Sequence, residues 1–376
     1  MPPSLRPLGR GRHLHIHTPR TPTRLRQYAT TTDSPPLRTA LFFPGHGVQR
    51  KSMLSPWLSA FPKTCKPFVE EMDHILQCNL STLIEEGPIY MLDKTENAQP
   101  AIMAVSVMIL RVLEQEFGFK TSEAIDVTLG HSLGEYAALV AAGYLDFSFA
   151  LQLVRKRGEI MGECTRLAKE ESGDRYGMIA LVCEPDQLDG LIKAVQEFLS
   201  QGSEGAKDDS SHPPAINRVS IANYNSRNQI VLSGSFNRIK NFGVEKQFGV
   251  PQSDYGAAYE YMRKTLKPEH VTWPGKCPTV MNVSGKPAES KEDLMNCLSR
   301  QAIETVLWWD SIKYLDRQAG TRRWLGVGPG KVGRNLVSKE VGRSSAKGGG
   351  VWSISDPGEV EATLRGLEET AKEANS

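Results

Sequence analysis

The chain has 376 residues, 39% of them hydrophobic and 23% charged, with a formal net charge of +2. That length suits one large domain carrying an insertion, or two domains. The near-neutral balance, without an aromatic-interleaved basic patch, excludes nucleic acid as an expected partner. The longest apolar run, Ala101 to Leu110, is far short of the ~20 residues a membrane span needs, so no span is expected.

The first 28 residues hold six arginines (Arg6, Arg10, Arg12, Arg20, Arg24 and Arg26) and no acid before Asp33. They also lack the apolar core of a secretory signal, so residues 1–28 read as a mitochondrial transit peptide and the mature protein is expected in the matrix. Strand-like Thr39 to Phe43 then runs into the turn Pro44-Gly45-His46-Gly47. A helical region follows from about Pro56 to Glu86. Pro100 is expected to open a long helix, because a proline at the first helical position forfeits no hydrogen bond. A strand around Val127 to Leu129 leads into Gly130-His131-Ser132-Leu133-Gly134 and an alanine-rich helix. A second helix covers "DFSFALQLVRKRGEIMGECTRL".

Beyond Ala168 the pattern changes to strand, helix, strand, strand, weak helix, with the polar insert "LSQGSEGAKDDSSHPPA" between the helix and the second strand. That order suits a small ferredoxin-like module. Strand and helix patterns then alternate again through "PTVMNVSG", "VLWWDSIKYLDRQ" and "RWLGVGPGKVGRNL". The predicted fold is therefore α/β: a hydrolase-like large domain (38–168 and 248–355) with a parallel sheet, an inserted ferredoxin-like subdomain (169–247) and a charged tail (356–376). Six cysteines lie scattered without metal-site spacing or a disulfide framework. Gly326-x-Gly328-x-Gly330 is expected to be a structural turn, since no phosphate-loop lysine or ribose-binding acid follows it. Trp308-Trp309 is read as core.

Gly-x-Ser-x-Gly between a strand and a helix is the pattern of a nucleophile elbow. Only glycines let the two backbones approach while the serine turns outward, and the helix N-terminus faces the place where an oxyanion would form. "GHSLGEYAAL", preceded by "FFPGHGVQ" and "NAQPAIMAVS" and followed by "VRKRGEIM", "NYNSRNQIVLSG" and "GVGPGKVGRNL", resembles the malonyl-CoA:acyl-carrier-protein transacylases and the acyltransferase domains of fatty-acid and polyketide synthases. The resemblance runs from about Thr39 to Leu336.

The resemblance implies malonyl transfer from malonyl-CoA to the phosphopantetheine thiol of acyl carrier protein, in fatty-acid synthesis, with neither metal nor redox cofactor and as a monomer. It implies Ser132 as acyl-accepting nucleophile and the backbone N–H groups of Leu133 and His46 as oxyanion hole. His46 stands where many members have glutamine. Arg157 would hold the malonyl carboxylate, for which a planar guanidinium fork is suited. Gln99 and Asn225 match polar pocket positions.

One motif is absent. The family carries its general-base histidine after the small module, in a Phe-His-Ser-like stretch, and there this chain reads "KQFGVPQSDYGAAYEYMRKTL", without a histidine between His212 and His270. His212 sits in the polar insert, His270 lies past the helix that the base should precede, and His131 is expected to pack. No base is identified. Losing one contiguous motif while its neighbours persist is the mark of a displaced exon boundary. The alternatives are a catalytically impaired homologue that binds partners, or a serine esterase of the α/β-hydrolase class. The esterase reading wants a Ser…Asp/Glu…His order that is not visible here.

Overall fold

A computed structural model describes residues 38–173, 176–201, 219–235, 239, 256–342 and 349–373, all within one unit spanning Pro36–Ser376. Five strands, β1 (Arg38–Phe43), β2 (Val127–Gly130), β6 (Thr279–Val280), β7 (Thr321–Val327) and β8 (Gly350–Ile354), form a sheet in the order β6-β2-β1-β7-β8. Every neighbouring pair in it is parallel. A parallel sheet needs cover on both faces, which is why β1 is buried from Thr39 onward and β2 throughout. In β1, Leu41 and Phe43 enter one core and Ala40 and Phe42 the other.

The first core packs against the helices Thr95–Phe117, Gly134–Ala141 and Phe147–Ser172; the second packs against Trp308–Arg317 and Val332–Val341. Trp308 lies in the second core as expected. Trp309 is only half-buried and turns toward the small sheet.

The small sheet is antiparallel, with β3 (Tyr176–Val182), β4 (Ser220–Ser226) and β5 (Gln229–Ser235) in the order β3-β5-β4 and the helix Leu188–Gln201 on one face. That is the order of the first three strands of a ferredoxin-like fold. β4 is tied to the large sheet's surroundings at Val306, whose N–H donates to the Ala222 carbonyl at 2.7 Å while its own carbonyl accepts from Tyr224 N–H at 3.0 Å.

Two sequence expectations change. The helical stretch after Pro56 is three helices, Ser55–Ala60, Pro62–Leu76 and Leu80–Glu86, because Phe61 and the glutamine at 77 (φ 52°) break it. The long helix begins at Thr95, not Pro100. Lys94 caps it, with its carbonyl accepting from the N–H groups of Asn97 and Ala98, and Pro100 lies inside, where the ring deprives the Glu96 carbonyl of its usual donor. The extra turn carries Thr95 and Gln99 to the cleft. Residues 360–373 of the charged tail form an amphipathic helix that buries Val360, Thr363 and Leu367.

Candidate active site

All the parallel strands deliver their loops to one edge, the C-terminal edge at which open α/β sheets place their sites. From β1 comes the turn at Pro44 to Gly47, from β2 the Ser132 elbow, from β6 Asn282, and from β7 the glycine turn. Ser132 has φ 49°, in the left-handed region that a serine occupies only under constraint. The constraint is steric. A β-carbon on Gly134 would approach the Phe43 carbonyl oxygen to 2.5 Å, and one on Gly130 would collide with the Gly134 backbone.

Both backbone polar groups of Ser132 are held by side chains far away in the chain. Its N–H donates to Asn282 Oδ1 at 2.7 Å, and its carbonyl accepts from Gln301 Nε2 at 2.6 Å. Asn282 Nδ2 also donates to the Gly130 carbonyl at 2.7 Å, which clamps the turn at both ends.

Arg157 is 3% exposed. Its Nη1 donates to Gln99 Oε1 at 2.6 Å and its Nη2 to Gln301 Oε1 at 3.1 Å, and its face lies 5.7 Å from the Tyr136 ring centre. Among the described residues no carboxylate forms an ion pair with it, and its Nε has no hydrogen-bond partner. Its direct hydrogen-bond partners are neutral amides, with the Glu135 carboxyl close enough to feel its charge but not in contact, and a guanidinium so placed suits an incoming anion.

Ser132, Leu133, His46, Gln99 and Arg157 line one cavity of about 1780 Å³ between the small sheet and the large one. The cavity is far larger than a malonyl group alone would need. Asn225 is not on its wall. It is buried behind the elbow, with its Oδ1 2.7 Å from His131 Nε2.

Because an amide oxygen only accepts, that histidine nitrogen carries the hydrogen. His131 also meets the edge of Trp308, ring centres 5.4 Å apart, and burial pushes its pKa below the usual imidazole value. It is a neutral packing residue. Of the other histidines, His46 reaches the cavity. Its side chain is exposed at the cavity, yet the protein packed around it lowers its pKa, against the pull of Asp93 and with the Arg157 charge adding to the depression. His270 is remote: it stacks on Phe149 at 4.0 Å, and its Nδ1 accepts from Lys267 N–H. His212 and the stretch 248–255, where the missing motif belongs, lie outside the described residues. Gly256, directly after that stretch, lines the cavity. The glycine turn after β7 packs on the site from behind, Gly328 (φ 135°) lying against Pro44 and Ser106.

Sequence reasoning assigned no role to Glu135, Asn282 or Gln301. Glu135 belongs to the elbow motif but was read only as part of its pattern. It is fully buried, its Oε1 accepting from Asn282 N–H at 2.6 Å and its Oε2 from Gln301 Nε2 at 2.7 Å. Burial pushes its carboxyl up to about 8 against those hydrogen bonds and the Arg157 charge. A lone acid amid alanines in a predicted buried helix is the signal that could have flagged it. Among the described residues no group of histidines, cysteines and acids could hold a metal ion, and no helix is long and apolar enough to cross a membrane.

Residues 41–188 match the family described as the acyl transferase domain. The malonyl CoA-acyl carrier protein transacylase of Bacillus subtilis (strain 168) is 30% identical over 346 residues, covering 88% of this chain and 98% of that protein. The protein of the same name from Escherichia coli (strain K12) is 30% identical, covering 86% of this chain and 98% of its own length. The crystal structure of acyl-carrier-protein S-malonyltransferase from Bartonella henselae superposes with a TM-score of 0.71 at 28% identity, over 88% of this chain and 100% of that one.

Proposed function

Because the chain belongs to the malonyl CoA-acyl carrier protein transacylase family, we propose that it moves a malonyl group from malonyl-CoA to the thiol of acyl carrier protein through an ester on Ser132, for fatty-acid synthesis. One observation carries this reading. A buried arginine without an ion-pair partner among the described residues shares a cavity with a serine on a strained elbow. An acyl group bearing a free carboxylate satisfies both at once.

In the first half-reaction Ser132 Oγ gives up its proton and attacks the thioester carbonyl. The negative charge on the carbonyl oxygen is met by the backbone N–H groups of Leu133, just before the Gly134–Ala141 helix, and of His46. The carbon–sulfur bond then breaks, and CoA leaves as its thiol after protonation. In the second half-reaction the carrier's thiol attacks the serine ester, and the seryl oxygen recovers a proton as it departs. Arg157 holds the malonyl carboxylate through both halves, the fork matching two carboxylate oxygens.

Proton transfer needs a base within reach of Oγ. His131 is committed to Asn225 and His270 lies elsewhere. We assign the base to a histidine in residues missing from this sequence between about Gly249 and Glu260, next to the cavity-lining Gly256. The acid-free, arginine-rich leader supports a matrix location, and a monomer suffices for every step. A reporter fused to residues 1–28 that stays outside mitochondria would refute the location. For the activity itself, the purified chain should carry label from radioactive malonyl-CoA to acyl carrier protein and leave acetyl-CoA largely unused. Thioester hydrolysis without transfer to the carrier would favour the esterase reading, and binding without turnover the impaired homologue.

A further inference from the structure

We infer that Glu135 is a positioning residue: through Gln301 and Asn282 it ties the Ser132 elbow and the Arg157 carboxylate clamp into one hydrogen-bonded unit. This rests on the reading above, in which Arg157 receives the malonyl carboxylate. A fully buried carboxyl in the first turn of an alanine-rich helix is costly, and packing alone would be served by another alanine. What the carboxyl supplies is direction.

Both of its oxygens accept, one from Asn282 N–H at 2.6 Å and one from Gln301 Nε2 at 2.7 Å. The two hydrogens on Gln301 Nε2 are thereby spent on Glu135 and on the Ser132 carbonyl at 2.6 Å. Only one orientation of that amide remains, and it delivers Gln301 Oε1 to Arg157 Nη2 at 3.1 Å. On the other prong, Gln99 is fixed in the same manner: its Nε2 donates to Thr95 Oγ1 at 2.6 Å, which leaves Oε1 for Arg157 Nη1 at 2.6 Å. The guanidinium is thus aimed by two amides whose polarity is set elsewhere. Asn282 takes the same anchor to the other side of the elbow, because its backbone bonds Glu135 while its side chain bonds Ser132 N–H and the Gly130 carbonyl.

Replacing the acid by its amide breaks this polarity. In Glu135→Gln, an NH₂ would confront either Gln301 Nε2 or Asn282 N–H, donor against donor. Rotating Gln301 to relieve the clash turns its NH₂ toward Arg157, which can only donate. The clamp therefore loses a partner although neither of its own residues has changed.

The test is equilibrium binding of malonyl-CoA and acetyl-CoA to the full chain above pH 8, where the Glu135 carboxyl is ionised and both of its oxygens accept; it requires no catalytic base. Wild type should prefer malonyl-CoA. In Glu135→Gln that preference should fall about ten- to hundredfold, with acetyl-CoA binding little changed and the protein still folded. A merely structural role would weaken both ligands together, so a folded Glu135→Gln with the wild-type ratio overturns the inference. Should that variant not fold, Gln301→Leu cuts the same link while leaving Glu135 bonded to Asn282. A similar loss of preference supports the inference, and an unchanged ratio overturns it. A wild type that does not distinguish the two ligands refutes the carboxylate role of Arg157 itself, and this inference with it.

Discussion

Gly130 and Gly134 lie so close across the elbow that a β-carbon on the first would run into the carbonyl group of the second. The obstacle is backbone, which cannot swing aside as a side chain can. Gly130→Ala should therefore destabilise the protein by about 1–3 kcal/mol or more and remove whatever acyl-accepting activity it has. Gly190→Ala is the control: the new methyl meets nothing within 4 Å, and on a helix it should stabilise by up to about 1 kcal/mol. Denaturant unfolding of the two variants decides the matter. Equal stabilities would mean that the elbow is not the tight crossing described.

Arg157→Ala should turn selectivity for an acidic acyl group into tolerance of uncharged ones. Losing one partner of a buried charge-assisted pair costs about 2–5 kcal/mol, and only malonyl uses that pair. Acetyl-CoA should then compete measurably in a transfer assay. A uniform fall in malonyl and acetyl transfer would make Arg157 a structural residue.

The elbow was legible because its signal is local: glycine, serine and glycine between an apolar run and an alanine-rich helix. The parallel sheet was legible from the alternation of strand and helix patterns. What escaped was long-range. Asn282 and Gln301 reach Ser132 across separations of 150 and 169 residues, and no spacing rule links them. Asn282 had a faint mark, as a polar residue just after a predicted strand, where parallel sheets gather their sites. Pro100 misled because a proline so often opens a helix, whereas here Lys94 supplies the cap and the helix continues through the ring. Asn225, which the resemblance implies for the pocket, lies behind His131 and off the cavity wall.

Glu135 also gives a pH signature. Its carboxyl rises from 4.5 to about 8 on folding, so the native state binds that proton more tightly than the unfolded chain does. The acid's contribution to stability is then most favourable at low pH and declines as pH rises between those two values. Unfolding free energies measured across that window should shift in favour of Glu135→Gln, relative to wild type, as pH increases. A difference that stays flat would mean that Glu135 titrates normally.

The native transcript should encode additional residues, including a histidine, between about Gly249 and Glu260. A displaced exon boundary removes neighbouring residues together, whereas relaxed selection on a dead enzyme should also erode Ser132 and Arg157. The chain as written should accept malonyl slowly, since losing a general base commonly costs about 10²–10⁴-fold. A transcript that matches the present stretch, together with brisk transfer by the purified protein, would refute this and turn the search for a base to His46, which lines the cavity.

The most direct measurement omits the carrier. The purified chain is incubated with radiolabelled malonyl-CoA, quenched in acid and digested, and the labelled peptide is sequenced. One labelled peptide, containing Ser132, should appear, with CoA released in equal amount and the label lost in Ser132→Ala. Label on another residue, or the same yield of labelled protein from Ser132→Ala, would contradict the ester on Ser132.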